Sequence, residues 1–302
     1  MVYTILGKNL IIGILIGSYR NEIIENPLRY PGGKSRACTK MDPYFPDLSK
    51  YAEFREPFLG GGSVAIHVSK KYPHLKITVN DLYEPLINFW IQLQTFGNEL
   101  TEKIKNYKST HPEPTSAKEL FLEAKERIND KSLDCIERAA AFYIVNKCSF
   151  SGLTESSSFS KQASVSNFSM RGIEKLPGYS EIISHWHINQ YSYEYCFREN
   201  IHDDLFMYLD PPYDIKDNLY GKKGSMHKGF DHDEFADNCS QSEIDMLISY
   251  NSDQLVKDRF KGWTAGEFDL TYTMRSVGDY MIDQEQRKEL LLYNYNNPQL
   301  AI

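Results

Sequence analysis

Apolar positions along the chain change period several times, and the changes divide it. From Tyr51 to about Leu93 the sequence reads strand, glycine turn, helix, strand, helix: EFREPF, LGGG, SVAIHVSKKY, KITVND and LYEPLINFWIQL. Strand, crossover helix and second strand make a βαβ unit with parallel strands. From Ser116 to Cys148 the spacing becomes helical, through LFLEAKERI and IERAAAFYIVNKC, and Ser116 with Glu119 predicts a capping box at its start. Residues 149–180 are rich in Ser, Gly and Phe without a sustained period, which predicts a loop or hairpin. Strand signals return at HWHINQYSY, LFMYLD, DMLISYN and ELLLYNY. Near the start, LIIGILI at 10–16 is too short to cross a bilayer and predicts a strand or an appended tail.

The economical reading is an α/β chain with one doubly wound sheet, interrupted by a mainly helical insertion. The expected boundaries are an N-terminal extension at 1–27, a sheet domain from 28–95 and 196–302, and an inserted domain at 96–195. A chain of 302 residues with 41% hydrophobic and 25% charged positions suffices for such a core. The formal net charge of −7 argues against a protein that coats nucleic acid by charge alone. It leaves room for an enzyme with one basic face, and Lys70 with Lys71, and Lys222, Lys223, His227 and Lys228, form local basic clusters. Five cysteines show neither ligand pairing nor a disulfide framework, and the eight histidines form no ligand group. No metal is expected, and a reducing cytoplasm fits best.

The strongest chemical signal is Asp210-Pro211-Pro212-Tyr213, directly after the apolar strand LFMYL. Ligands of a doubly wound sheet bind beyond the carboxyl ends of its strands, so this carboxylate and ring face the crevice. Two prolines remove backbone donors and leave carbonyl acceptors. Acceptors on both hydrogens of an exocyclic amine would turn its lone pair toward an electrophile, and Tyr213 would stack on an extruded base.

The turn Phe58-Leu59-Gly60-Gly61-Gly62 sits between strand and helix, and Asp81 ends the next strand about twenty residues on, where an acidic side chain reaches ribose hydroxyls. A strict GxGxxG is absent, which argues against a nicotinamide cofactor. In Leu28-Arg29-Tyr30-Pro31-Gly32-Gly33-Lys34, Tyr30 would pack on a planar or methylsulfonium group and Lys34 would pair with a carboxylate; S-adenosylmethionine carries both. Taken alone, the glycine turn is as readable as an ordinary turn and PGGK more readily so, whereas the DPPY corner is less readily so.

Together and in this order the three segments resemble the Dam-type, DPPY-containing family of DNA adenine N6-methyltransferases, from about Leu28 to Tyr295. The resemblance implies a Rossmann-like methyltransferase sheet with an inserted target-recognition domain. It also implies S-adenosyl-L-methionine as cofactor, bound by Tyr30, Lys34, Phe58, Gly60, Gly62, Asp81 and Asp210. Double-stranded DNA is the implied partner, with the target adenine held by Asp210, Pro211, Pro212 and Tyr213. FYIVNKCSFSGL resembles the start of the family's recognition region, making Lys147, Ser149, Ser151 and Arg171 candidate DNA contacts. LYGKKGSMHKGF resembles the loop after the catalytic motif, where Lys222, Lys223 and Lys228 would approach phosphates. The stretch after Leu153 does not resemble the GATC-reading hairpin of well-known members, so no recognition sequence is implied. Cytosine N4, an RNA base or an inactive DNA-binding homologue remain the alternatives.

Overall fold

The computed structural model describes residues 26–30, 32–150, 152, 157–213, 229–269 and 288–300. The run at 10–16, the segment LTYTMRS, Ser151, Lys222, Lys223 and Lys228 lie outside them.

The described strands are β1 (Glu53–Glu56), β2 (Lys76–Asn80), β3 (His187–Asn189), β4 (Leu205–Leu209), β5 (Asp245–Asn251), β6 (Thr264–Asp269) and β7 (Lys288–Tyr293). They form a seven-stranded sheet in the order β3-β2-β1-β4-β5-β7-β6. β3, β2, β1, β4 and β5 run parallel, and β7 lies antiparallel between β5 and β6. The sequence makes β4 central because LFMYL is buried at every position, as a strand covered on both faces must be. Its side chains divide with period two: Phe206 and Tyr208 enter one apolar cluster, Leu205, Met207 and Leu209 the other. The chain leaves β1 toward β2 and β3 and returns to β4 on β1's other side. This reversal of winding opens a crevice beyond the carboxyl ends of β1 and β4.

The helices α1 (Cys38–Met41) and α2 (Ser63–Lys71) are followed by α3 (Glu84–Thr110), α4 (Pro114–Arg127) and α5 (Cys135–Cys148). Then come α6 (Lys161–Ser166), α7 (Met170–Ile173), α8 (Leu176–Ile183), α9 (His232–Ser240) and α10 (Gln254–Arg259). α3 is broken at Phe96, whose φ of −129° and ψ of 37° are not helical, at the position where the insertion was expected to begin. The helical segment shares a core with the sheet. Phe89 of α3 packs on Phe142 and Tyr143 of α5, and Trp90 on Trp186.

Three expectations change. α4 opens at Pro114 with Glu113 as its N-cap, because proline's fixed φ sets the first turn. Ser116 Oγ therefore donates to Glu113 O instead of capping. The stretch 149–180 holds one isolated bridge, Ser149 to Phe159, and then three short helices. Two of its serines are caps: Ser160 accepts from Ala163 N and Ser169 from Gly172 N, and the helices they start are too short to show a period. Finally, the segment 96–195 supplies β3 to the sheet, and the antiparallel strand β6 was not anticipated.

Candidate active site

The carboxyl ends of β1, β2 and β4 surround a cavity of about 350 Å3. Its floor is the glycine turn after β1. Gly60 and Gly62 have φ of 48° and 70°, in the left-handed region that L side chains rarely adopt. A Cβ on Gly60 would lie 3.0 Å from the Tyr30 ring, and one on Gly62 2.8 Å from Trp90 Cζ2. Asp81 holds the turn from across the sheet: one carboxylate oxygen accepts Gly60 N–H at 2.9 Å and the other Tyr83 N–H at 3.0 Å. Burial pushes the Asp81 carboxyl up against those bonds. Asn80, 1% exposed, joins three strand ends by donating to Pro57 O and Tyr191 O and accepting Tyr191 N–H.

Opposite, Asp210 is held by Ser249 Oγ at 2.8 Å, and Ser249 in turn bonds Tyr208 OH. The Lys34 ammonium lies 2.8 and 2.9 Å from the two Asp210 oxygens, 3.0 Å from Gly32 O, 2.8 Å from Tyr213 OH and 3.2 Å from Glu289 Oε1. Tyr213 OH donates to Glu289, and its ring stacks on Tyr250 at 5.9 Å. Burial works against the Lys34 charge, but the Asp210 and Glu289 carboxylates outweigh it and hold the ammonium well above the usual lysine range. Lys34 is 3% exposed, and its ammonium joins Asp210, Tyr213 and Glu289 in one corner. The carboxylate it was expected to meet on a ligand is met within the chain. Tyr30 packs its ring over Gly60 and Gly61 and also lines the cavity. Phe58 stacks on Tyr193 at 5.5 Å and forms the wall.

The expected DNA contacts separate. Lys147 is 8% exposed, lies 5.4 Å from the Tyr143 ring centroid, and has no ion pair among the described residues. Burial, then the nearby Arg29, lowers its pKa to about 7. Ser149 is fully buried and its hydroxyl donates to Asn146 O, so it is a structural residue of the α5 terminus. Arg171 is exposed on α7.

Four residues escaped the sequence reading. Asn146, fully buried, accepts Arg29 N–H at 2.9 Å, donates to Arg29 O at 2.6 Å and donates to Gly152 O at 3.0 Å. The Arg29 guanidinium meanwhile donates to Ser149 O and Phe150 O. The turn carrying Tyr30 and Lys34 is thereby fastened to the end of α5. Glu56, 3% exposed and ending β1, lines the cavity with an Oε2 that has no hydrogen-bond partner among the described residues. Burial first, and the Asp210 charge second, push its carboxyl well above the usual range. Its signal was legible, since it ends a buried strand as Asp210 does. Ser249 and Glu289 complete the corner; Glu289 is a charge opening an otherwise apolar strand, ELLLY.

The chain resembles the type II methyltransferase M1.LlaDCHI of Lactococcus lactis subsp. cremoris, at 24% identity over 92% of this chain and 98% of the relative. It is also similar to the type II methyltransferase M.CviBI of Paramecium bursaria Chlorella virus NC1A, at 20% identity over 89% and 98%. Among solved structures, the rRNA methyltransferase aviRa of Streptomyces viridochromogenes aligns with 10% identity and a TM-score of 0.35 over 89% of this chain and 88% of that one. The D12 class N6 adenine-specific DNA methyltransferase profile matches residues 30–274, most of the chain and all three segments of the site. The chain belongs to the D12 class of N6 adenine-specific DNA methyltransferases, enzymes that move a methyl group from a donor to DNA adenine.

Proposed function

We propose that the methyl donor is S-adenosylmethionine, bound in the cavity between Asp81 and Asp210, and that the acceptor is N6 of an adenine flipped from double-stranded DNA. The observation that carries this is the charge of the cavity wall. Glu56, Asp81, Glu194, Asp210, Asp231 and Glu234 line it, against one lining cation among the described residues, Lys34, which is already paired with Asp210. Such a wall suits a ligand with two positive groups, a sulfonium and an ammonium. The free Glu56 Oε2 is placed to take the ammonium, which would draw its carboxyl back to the ionised form. Exposed Leu82 and Tyr191 flank the Asp81 end and offer apolar surface to an adenine ring.

When bound, S-adenosylmethionine supplies an electrophilic methyl group and departs as a neutral thioether. The chain's own work is to position the acceptor. Asp210 and the Pro211 carbonyl accept the two N6 hydrogens, turning the lone pair toward the methyl carbon. As the nitrogen–carbon bond forms, positive charge grows on N6, where Asp210 stabilises it until one N6 proton passes to solvent and the methylated amine is left neutral. Tyr213, fixed by Tyr250 behind its ring and by Lys34 and Glu289 at its hydroxyl, gives the extruded base a stacking face.

Arg29 lies close enough to Lys147 to act on its charge, and the two suit a DNA phosphate; Arg171 is a further exposed cation, and Lys222, Lys223 and Lys228, outside the described residues, are the remaining proposed phosphate contacts. The segment 96–195 acts as the target-recognition region. The working context is the modification half of a restriction system, in the cytoplasm of a bacterial or phage-infected cell.

The test is to incubate the protein with S-adenosylmethionine labelled on its methyl group and unmethylated genomic DNA, then digest to nucleosides. Label in N6-methyladenine is expected. Label in N4-methylcytosine would overturn the acceptor, and cofactor binding without transfer would mark an inactive DNA-binding homologue.

A further inference from the structure

Lys34 is shared between two carboxylates, only one of which belongs to the DPPY corner. Asp210 faces the cavity with 22% of its side chain exposed, whereas Glu289 lies behind it at 2%. The lysine is 2.8 Å from Asp210 Oδ2 and 3.2 Å from Glu289 Oε1. Glu289 also accepts the Tyr213 hydroxyl proton, and that hydroxyl accepts from Lys34. The strand register explains how a remote residue arrives here: Glu289, the second residue of β7, lies opposite Asn251, two residues beyond Ser249 on β5, and Ser249 holds Asp210.

A lysine paired with Asp210 alone would neutralise the one group that must stay negative for N6 to donate to it. A second carboxylate competes for that charge. We propose that Glu289 is a charge-setting positioning residue: by sharing Lys34 it leaves Asp210 partly unneutralised, so the corner favours a cationic sulfonium over a neutral thioether and favours positive charge growing on N6. This rests on the reading of the cavity as an S-adenosylmethionine site.

The same device would drive exchange. The donor enters as a cation and leaves as a neutral molecule, so a corner that retains negative charge holds the substrate more tightly than the product.

The experiment measures binding of S-adenosylmethionine and S-adenosylhomocysteine by calorimetry without DNA, so no turnover enters the readout. In Glu289→Gln the amide keeps the shape and can still accept from Tyr213, but the full Lys34 charge falls on Asp210. The preference for the sulfonium over the thioether is expected to shrink about tenfold, from loss of one unit charge near the site, with the thioether's affinity little changed. Lys34→Gln/Glu289→Gln removes one charge of each sign and is expected to restore the preference, a rescue that a merely structural role would not give. An unchanged preference in Glu289→Gln, or equal loss in it and in the double variant, overturns the proposal. Should Glu289→Gln fail to fold, Lys34→Gln alone tests the same balance: it frees both carboxylates and is expected to raise the preference for the sulfonium, and an unchanged or lowered preference overturns the proposal. If the unaltered protein binds neither molecule, the cofactor reading itself falls, and the proposal with it.

Discussion

Replacing Lys34 with Met tests whether its ammonium belongs to the fold or to the ligand. The side chain is 3% exposed and is the shared partner of Asp210 and Glu289, of which the second is 2% exposed. Methionine fills a similar volume, so the loss is electrostatic rather than a cavity. Removing one partner of a buried pair costs about 3–5 kcal/mol. That is a large share of the roughly 5–15 kcal/mol that holds an ordinary domain folded. With a urea m-value of about 3 kcal/mol/M, the unfolding midpoint should drop by about 1–1.7 M. The loss should also depend on pH. Without the lysine the Asp210 charge acts uncompensated on Glu289, whose carboxyl burial already holds above its usual range, and pushes its folded pKa further above the unfolded one. A raised carboxyl binds a proton more readily folded than unfolded, so its stabilising contribution is present at low pH and disappears as pH rises through the folded pKa. The gap between the variant and the unaltered protein should therefore be smaller at pH 5 than at pH 8. Urea unfolding at both values is the assay. A variant as stable as the parent at pH 8, with cofactor affinity alone reduced, would refute the reasoning and give the ammonium to the ligand's carboxylate.

Asp210→Ala should lower the transfer rate at least about 100-fold, as loss of one preorganised charge-stabilising group does, while DNA binding survives in a gel-shift assay. Gly62→Ala combines a left-handed φ of 70° with a Cβ 2.8 Å from Trp90, and should destabilise the fold by about 2–4 kcal/mol in denaturant titration. Lys147, with its pKa lowered to about 7, is half charged near neutrality. A bound phosphate would favour its protonated form, so DNA affinity measured by fluorescence anisotropy should fall as pH rises from about 7, and Lys147→Met should flatten that dependence.

Much of this arrangement was legible in the sequence because it follows short-range rules. Strand, glycine turn, helix and acidic strand end are one local pattern, and β1, α2, β2 and Asp81 appear where it places them. LFMYLD likewise announces a buried strand ending in a carboxylate. What escaped was what depends on distant partners. Lys34 sits 176 residues from Asp210, and only the folded sheet shows that it answers a carboxylate of the chain itself. Glu289 reaches the corner through the antiparallel register of β7, which no periodicity encodes. The serines of 149–180 looked like loop composition because helices of four to eight residues are too brief to display an apolar period.

The clasp between Asn146 and the Arg29 peptide joins residues 117 positions apart into one piece. A change of specificity in this lineage is accordingly constrained in how it can travel. A helical segment borrowed from a relative brings its own residue at 146, and unless that residue answers both the N–H and the C=O of position 29, two part-buried backbone groups lose their partners. Grafts that carry residues 26–34 together with the helical segment keep the hinge intact. Point changes that leave Asn146 and Gly152 alone keep the turn that carries Lys34 fastened to the end of α5.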